Sequence, residues 1–316
     1  MHDEFAVEVK GLDKKYKDVH AVNTVSFTIR RGEIFSLLGP NGAGKTTTIS
    51  MISTLLVPTK GDALVMGHSV RRDPMAVKKS IGVVPQDIAL YEDMTARENL
   101  AFWGRMYGLR GQALKSRINE VLKIISLEER QKGMIGKFSG GMKRRVNIGV
   151  ALLHKPDLII MDEPTVGVDP QSRRNILDSV KELNKQGCTV LYTTHYMEEA
   201  QELSDHIAIM DHGQIIANGT NAELVKIVGE LDRIDLTLSE TVGGKLSNFE
   251  KVKGVKKITQ ENGKMTLLAD DSDTVLPRLF ELTARLGLRI LTVEVKEPNL
   301  ETVFLHLTGR ALRDNQ

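Results

Sequence analysis

GEIFSLLGPNGAGKTT, residues 32–47, decides the fold. A short apolar run, Ile34 to Leu38, ends on Gly39. The pattern G-x-x-x-x-G-K-[ST] follows at Gly39, Gly44, Lys45 and Thr46. A strand before this pattern and a helix after it mark a phosphate loop. Glycines let backbone N–H groups curl around a phosphate, and a lysine adds a point charge toward the β- and γ-phosphates. Thr46 offers its hydroxyl to Mg²⁺. The candidate ATP-binding residues are therefore Gly39, Pro40, Asn41, Gly42, Ala43, Gly44, Lys45, Thr46 and Thr47.

Working outward, strand-like and helix-like segments alternate up to about Val228, which predicts an α/β domain with a mostly parallel sheet. DLIIMDEP and CTVLYTTH are two further strands with polar residues at their C-terminal ends, where open α/β sheets place their ligands. Asp162 and Glu163 are adjacent carboxylates just past four apolar residues. Burying both without a cation is costly, and a magnesium–nucleotide site resolves that cost. Asp162 suits the Mg²⁺ role and Glu163 that of a general base on the attacking water. Gln86, after the strand in GVVPQD, is placed to reach metal or water, and His195 to meet a γ-phosphate. Taken singly, Gln86 reads as a turn residue, His195 as a strand-end histidine and Asp169 as an N-cap ahead of Pro170. Thr95 to Lys137 is mainly helical, with capping-box spacing at Thr95 and Glu98.

A second anion-ready helix start lies in GKFSGGMKRRV, residues 136–146. The basic run Lys143-Arg144-Arg145 reads as a solvated helix face, not a nucleic-acid patch. The formal net charge of +2 gives no global attraction to nucleic acid. No apolar stretch approaches the roughly 20 residues that cross a bilayer, and the first residues carry no secretory signal pattern. The single cysteine, Cys188, reads as a buried strand residue and fits a reducing compartment.

In order, these parts resemble the ATP-binding cassette (ABC) ATPase over the chain to about Val228. Tyr16 resembles the aromatic that stacks on adenine, Gly39 to Thr47 the phosphate loop, Gln86 the Q-loop and Ser139-Gly140-Gly141 the signature. Asp162-Glu163 resemble the acidic strand, Gly167 to Pro170 the D-loop and His195 the switch histidine. FSGGMKRRV, QDIALYEDMTARENL and EPNLETVFLHLTGR look like ABC-2 type exporter ATPases of the daunorubicin-resistance kind. The resemblance implies a P-loop NTPase fold with a mostly parallel core sheet, an antiparallel β subdomain and a helical subdomain near residues 95–137. It also implies a head-to-tail homodimer in which Ser139, Gly140, Gly141 and Asp169 act on the partner's ATP. A separate multi-span membrane permease would hold the protein at the cytoplasmic face of the membrane. Mg²⁺ would be held through Thr46, Gln86 and Asp162. The chain departs from the family signature at Phe138 and Met142, where leucine and glutamine are usual. Phe138 can serve as the apolar anchor, whereas Met142 cannot make a glutamine's hydrogen bonds.

Leu90, Tyr91, Phe102, Trp103, Met106 and Tyr107 lie where relatives receive a permease helix; helical spacing assigns roughly two in three of them to the core. Residues 229–316 change character. Their element order reads βαββαβ, a small ferredoxin-like accessory domain. Asn262-Gly263 is a hairpin signal, and the helix from Asp273 to Leu286 closes on Gly287 with Pro277 in its first turn. Asn299 caps a last amphipathic helix through Leu300, Val303, Phe304 and Leu307. The rival reading is a non-transport ABC ATPase working as a nucleotide-dependent regulatory module.

Overall fold

Apolar strands buried on both faces alternate their side chains between two cores, and this arrangement builds the first unit of the molecule. The computed structural model describes residues 4–228, 231–239, 246–261, 264–296 and 299–309. It divides into two units, Met1–Asn218 and Gly219–Gln316.

The first unit opens with the long strands β1 (Phe5–Tyr16) and β2 (Val19–Arg30), then β3 (Ile34–Leu38) and helix α1 (Lys45–Ile52). Strands β4 (Lys60–Val65) and β5 (His68–Ser69), helix α2 (Pro74–Ser80) and strand β6 (Ile81–Val84) follow. The helical stretch holds α3 (Ala96–Met106), α4 (Gly111–Ile124) and a short 3-10 turn, Ile135–Lys137. Next come α5 (Gly140–Leu152), β7 (Leu158–Asp162), α6 (Pro170–Lys185), β8 (Thr189–Thr194), α7 (Met197–Leu203), β9 (His206–Asp211) and β10 (Gln214–Gly219). The central sheet runs β10-β9-β3-β8-β7-β6, and β2-β1-β4-β5 form a second sheet. Strands β9, β3, β8, β7 and β6 are parallel. In the second sheet β1 pairs antiparallel with both β2 and β4.

Phe35, Leu37, Leu158, Ile160 and Leu191 face a core shared with the antiparallel sheet and α1. Ile34, Ile159, Met161, Val190 and Tyr192 face the helices on the other side. The sheet is thereby clamped between layers, and the loops after its strands form one edge. Thr95 caps α3 with its side chain, while Glu98 returns a carboxylate to the Thr95 amide at 2.8 Å.

The second unit continues through α8 (Asn221–Lys226), β11 (Asp232–Leu238), α9 (Leu246–Glu250), β12 (Val255–Glu261), β13 (Lys264–Ala269), α10 (Ser272–Arg285), β14 (Ile290–Lys296) and α11 (Leu300–Thr308). From β11 to β14 this is βαββαβ, with sheet order β12-β13-β11-β14 and antiparallel pairs throughout. That is the ferredoxin-like arrangement. The sequence reading divided the chain after Val228. The units separate between Asn218 and Gly219, because α8 packs against α11 inside the second unit. Asn262 and Gly263 lie outside the described residues.

Pro277 is not in the first turn of its helix. The Asp271 side chain accepts from the Asp273 amide at 3.0 Å, so α10 begins at Ser272 and Pro277 falls inside it. Asn299 caps α11 by accepting from the Thr302 amide at 3.0 Å. Cys188 precedes β8 instead of lying within it and is only partly buried.

Candidate functional site

The loop after β3 has little room for side chains. A Cβ on Gly39 would lie 2.2 Å from the Met210 carbonyl oxygen on β9, and one on Gly44 2.5 Å from that of Ala21. Gly44 takes φ 105° and leads straight into α1. The opening amides of a helix have no carbonyl one turn back, so α1 starts as an anion-binding end. Lys45 is nearly fully buried. Its Nζ donates to the carbonyls of Gly39 at 2.7 Å and Pro40 at 3.0 Å, and pairs with Glu163 Oε1 at 3.0 Å.

Strand β7 delivers the two carboxylates, each 5% exposed. Asp162 ends the strand, and its Oδ1 accepts from Thr193 at 2.7 Å and Thr46 at 3.3 Å. Glu163 turns into the left-handed region at φ 43°. That turn separates the neighbours. Asp162 faces the loop hydroxyl, while Glu163 faces Lys45 and His195, whose Nδ1 lies 3.1 Å from Oε2. Burial pushes the Asp162 carboxyl up, against the opposing hydrogen bonds from Thr193 and Thr46. Burial also acts to raise Glu163, but the His195 hydrogen bond and the Lys45 charge together bring it down to about 2. A base needs a pKa nearer the working pH. Glu163 is held charged and paired in this arrangement.

The other predicted residues form a second group. Ser139 caps α5 by accepting from the Met142 amide at 3.3 Å. Asp169 caps α6, accepting from the Ser172 amide at 2.9 Å and its hydroxyl at 2.7 Å. The two helix starts touch: a Cβ on Gly141 would lie 2.0 Å from Ser172 Oγ. Among the described residues no hydrogen bond or ion pair joins Ser139, Gly140, Gly141 or Asp169 to the phosphate loop. Gln86 is exposed, and its carbonyl accepts from Arg144 at 2.6 Å. Tyr16 lies half-exposed at the end of β1, with the Lys14 ammonium 5.3 Å from its ring centre. Phe138 is buried in the helical core, and Met142 packs against the same core.

Two readings change. The basic run is not a solvated face. Arg144 is buried and donates to the carbonyls of Pro85 and Gln86, while Arg145 donates to those of Ile125 and Ser126. Lys143 pairs with Glu92. The helical pattern hid this, because those carbonyls come from distant loops. Of the six large apolar residues near the Q-loop, none is fully buried, and Tyr91, Met106 and Tyr107 are exposed. Their spacing reports a shared helix face but not what covers it.

Thr193 and Glu199 escaped the sequence reading. The Thr193 hydroxyl touches both carboxylate residues, bonding the Asp162 side chain and accepting from the Glu163 amide at 3.0 Å. Glu199, 2% exposed, accepts from Tyr192 at 2.9 Å and Thr194 at 2.8 Å beside the His195 strand end. Only the pairing of β7 with β8, which sets Asp162 opposite Thr193, reveals the first.

Known proteins resemble this arrangement closely. The family described as "ABC transporter" matches residues 22–166. The linearmycin resistance ATP-binding protein LnrL of Bacillus subtilis (strain 168) is 47% identical, over 98% of this chain and 100% of its own length. The Nod factor export ATP-binding protein I of Rhizobium sp. (strain N33) is 38% identical, covering 97% and 98%. Among solved structures, cbiO1 from Clostridium perfringens, part of an ABC transporter complex, has TM-score 0.65 and 28% identity over 71% of this chain and 94% of its own. A dimeric ATP-binding cassette in a post-hydrolysis state with ADP and Pi has TM-score 0.62 and 28% identity, over 68% of this chain and 98% of its own. With its phosphate loop, acidic strand end and Ser139-capped helix α5, this chain belongs to the ABC transporter family as an ATP-binding, ATP-hydrolysing subunit.

Proposed function

We propose that the protein powers export through a separate multi-span permease of the ABC-2 type, as one half of a head-to-tail homodimer at the cytoplasmic face of a membrane. The convergence of Lys45, Glu163 and His195 beside Asp162 and Thr46 carries this reading. The relatives named for linearmycin resistance and Nod factor export support the exporter direction. Among the described residues no helix is long and apolar enough to cross a membrane, which is consistent with a permease in another chain.

In this reading Lys45 leaves its loop carbonyls and Glu163 for the β- and γ-phosphates of ATP. Glu163, released from the ammonium, takes a proton from the attacking water as the bond from the γ-phosphorus to the ADP oxygen breaks. His195 keeps the Glu163 carboxylate oriented and faces the γ-phosphate. Thr46 and Asp162, with Gln86, would hold Mg²⁺; a hydroxyl and a carboxylate 3.3 Å apart are the hard oxygen donors that ion takes. When bound it neutralises charge on the phosphates. Ser139, Gly140 and Gly141 cap the ATP held by the partner, and Asp169 lies beside them. Tyr16 stacks on adenine. The dimeric solved cassette in a post-hydrolysis state supports completion by a second copy. The second unit serves as a dimer-stabilising or regulatory element.

Two experiments test this. ATP-dependent dimerisation of Glu163→Gln, measured by light scattering, should persist while hydrolysis stops. Affinity purification from native membranes should recover a multi-span protein. Recovery of none would leave a nucleotide-dependent module without a permease.

A further inference from the structure

We propose that Thr193 is a positioning residue for hydrolysis, its one hydroxyl setting the divergent directions of Asp162 and Glu163. The inference rests on the roles assigned to those two carboxylates above. Thr193 is fully buried on β8, in register with Asp162 on the parallel neighbour β7. A hydroxyl has one proton to give and lone pairs to accept with. Here the proton goes to Asp162 Oδ1 at 2.7 Å, and the oxygen accepts from the Glu163 amide at 3.0 Å. The same amide also reaches the Thr193 carbonyl at 3.2 Å. Three bonds from one residue therefore hold the Asp162–Glu163 step.

That step needs holding. Glu163 sits at φ 43°, a region an L side chain occupies only when its surroundings impose it. Without the hydroxyl, Asp162 Oδ1 keeps only the longer Thr46 contact at 3.3 Å. Its carboxylate is then free to turn away from the position that serves the metal. The Glu163 amide keeps the carbonyl alone, and the peptide that aims the base loosens. The backbone of the glycine loop and the Lys45 bonds to Gly39 and Pro40 are made without Thr193, so nucleotide should still dock.

The test compares Thr193→Val, which keeps the shape without the hydroxyl, and Thr193→Ser, which keeps the hydroxyl. Partners one shell out from a metal site change affinity or activity by about 10–100-fold. T193V should lower kcat by at least about tenfold on that scale. It should also weaken Mn²⁺ binding in the presence of AMP-PNP, read by electron paramagnetic resonance, by about tenfold. AMP-PNP affinity in EDTA should match wild type. T193S should recover both quantities to within about threefold of wild type, since its donor is unchanged. If T193V does not fold, Thr193→Ala against T193S gives the same comparison. Wild-type turnover in T193V overturns the proposal. So does unchanged Mn²⁺ affinity, or a T193S protein as impaired as T193V. Asp162→Asn and Glu163→Gln separate the two levels: if both abolish turnover while T193V is silent, only the positioning role fails. If both retain turnover, the site reading fails.

Discussion

Replacing Glu163 by glutamine should stop hydrolysis and at the same time tighten nucleotide binding. Without nucleotide, Lys45 is committed to Gly39, Pro40 and Glu163. Nucleotide must draw it away. The strength of the hold can be read from Glu163, whose carboxyl falls from 4.5 to about 2. At about 1.36 kcal/mol per pH unit, its surroundings favour the charged form by about 3 kcal/mol. The side chain is 6% exposed, so solvent screens little of this. His195 and Lys45 both contribute to it, so freeing the ammonium is on the order of 1 kcal/mol easier in the variant, several-fold in affinity. Glutamine keeps the shape and one acceptor oxygen but not the charge. It also removes a negative charge from beside the incoming phosphates. Calorimetry with AMP-PNP should therefore show binding several-fold tighter than wild type. Turnover should fall by about 10²–10⁴, the usual contribution of a positioned base. The depressed carboxyl gives a second check. Its contribution to stability is complete above pH 4.5 and lost as pH falls through about 2. Nucleotide-free wild type should lose up to about 3 kcal/mol over that window relative to E163Q, by urea unfolding. Unchanged or weaker AMP-PNP binding would refute the competition argument, and turnover above a tenth of wild type would remove Glu163 as base.

Other outcomes follow from the same geometry. Lys45→Ala leaves the buried Glu163 carboxylate with His195 alone; nucleotide binding should disappear, and nucleotide-free stability at pH 7 should fall by about 3 kcal/mol. An unchanged urea midpoint would contradict the buried pair. Gly141→Ala places a Cβ 2.0 Å from Ser172 Oγ and must push the starts of α5 and α6 apart. It should reduce turnover by about 10²-fold, since small misplacements are costly, with metal-free nucleotide binding intact; loss of that binding instead would place Gly141 in the phosphate loop's own support. Burial pushes the Cys188 thiol up to about 11. Its reaction with a disulfide reagent at pH 8 should run about two orders of magnitude slower than that of an ordinary thiol. A rate like that of free cysteine would show the thiol is not held in this environment.

Local sequence was enough for elements whose chemistry is local. A strand, a glycine loop and a helix start are contiguous in residues 32–47, so Gly39, Gly44, Lys45 and Thr46 declare a phosphate loop without further context. The βαββαβ order was likewise legible, because period-two strands and a capped helix each carry their own pattern. Caps at Thr95, Asp169 and Asn299 involve residues three apart and were readable for the same reason. What escaped depends on segments far apart in the chain. Arg144 looked solvated until the Pro85 and Gln86 carbonyls came against it. Thr193 gained its two partners only when β8 paired with β7 in one particular register. The pairing of Lys45 with Glu163 joins a helix start to a strand end more than a hundred residues later. Motif chemistry is written in short stretches of chain, but which charge faces which is set by strand pairing and burial, and those exist only in the folded molecule.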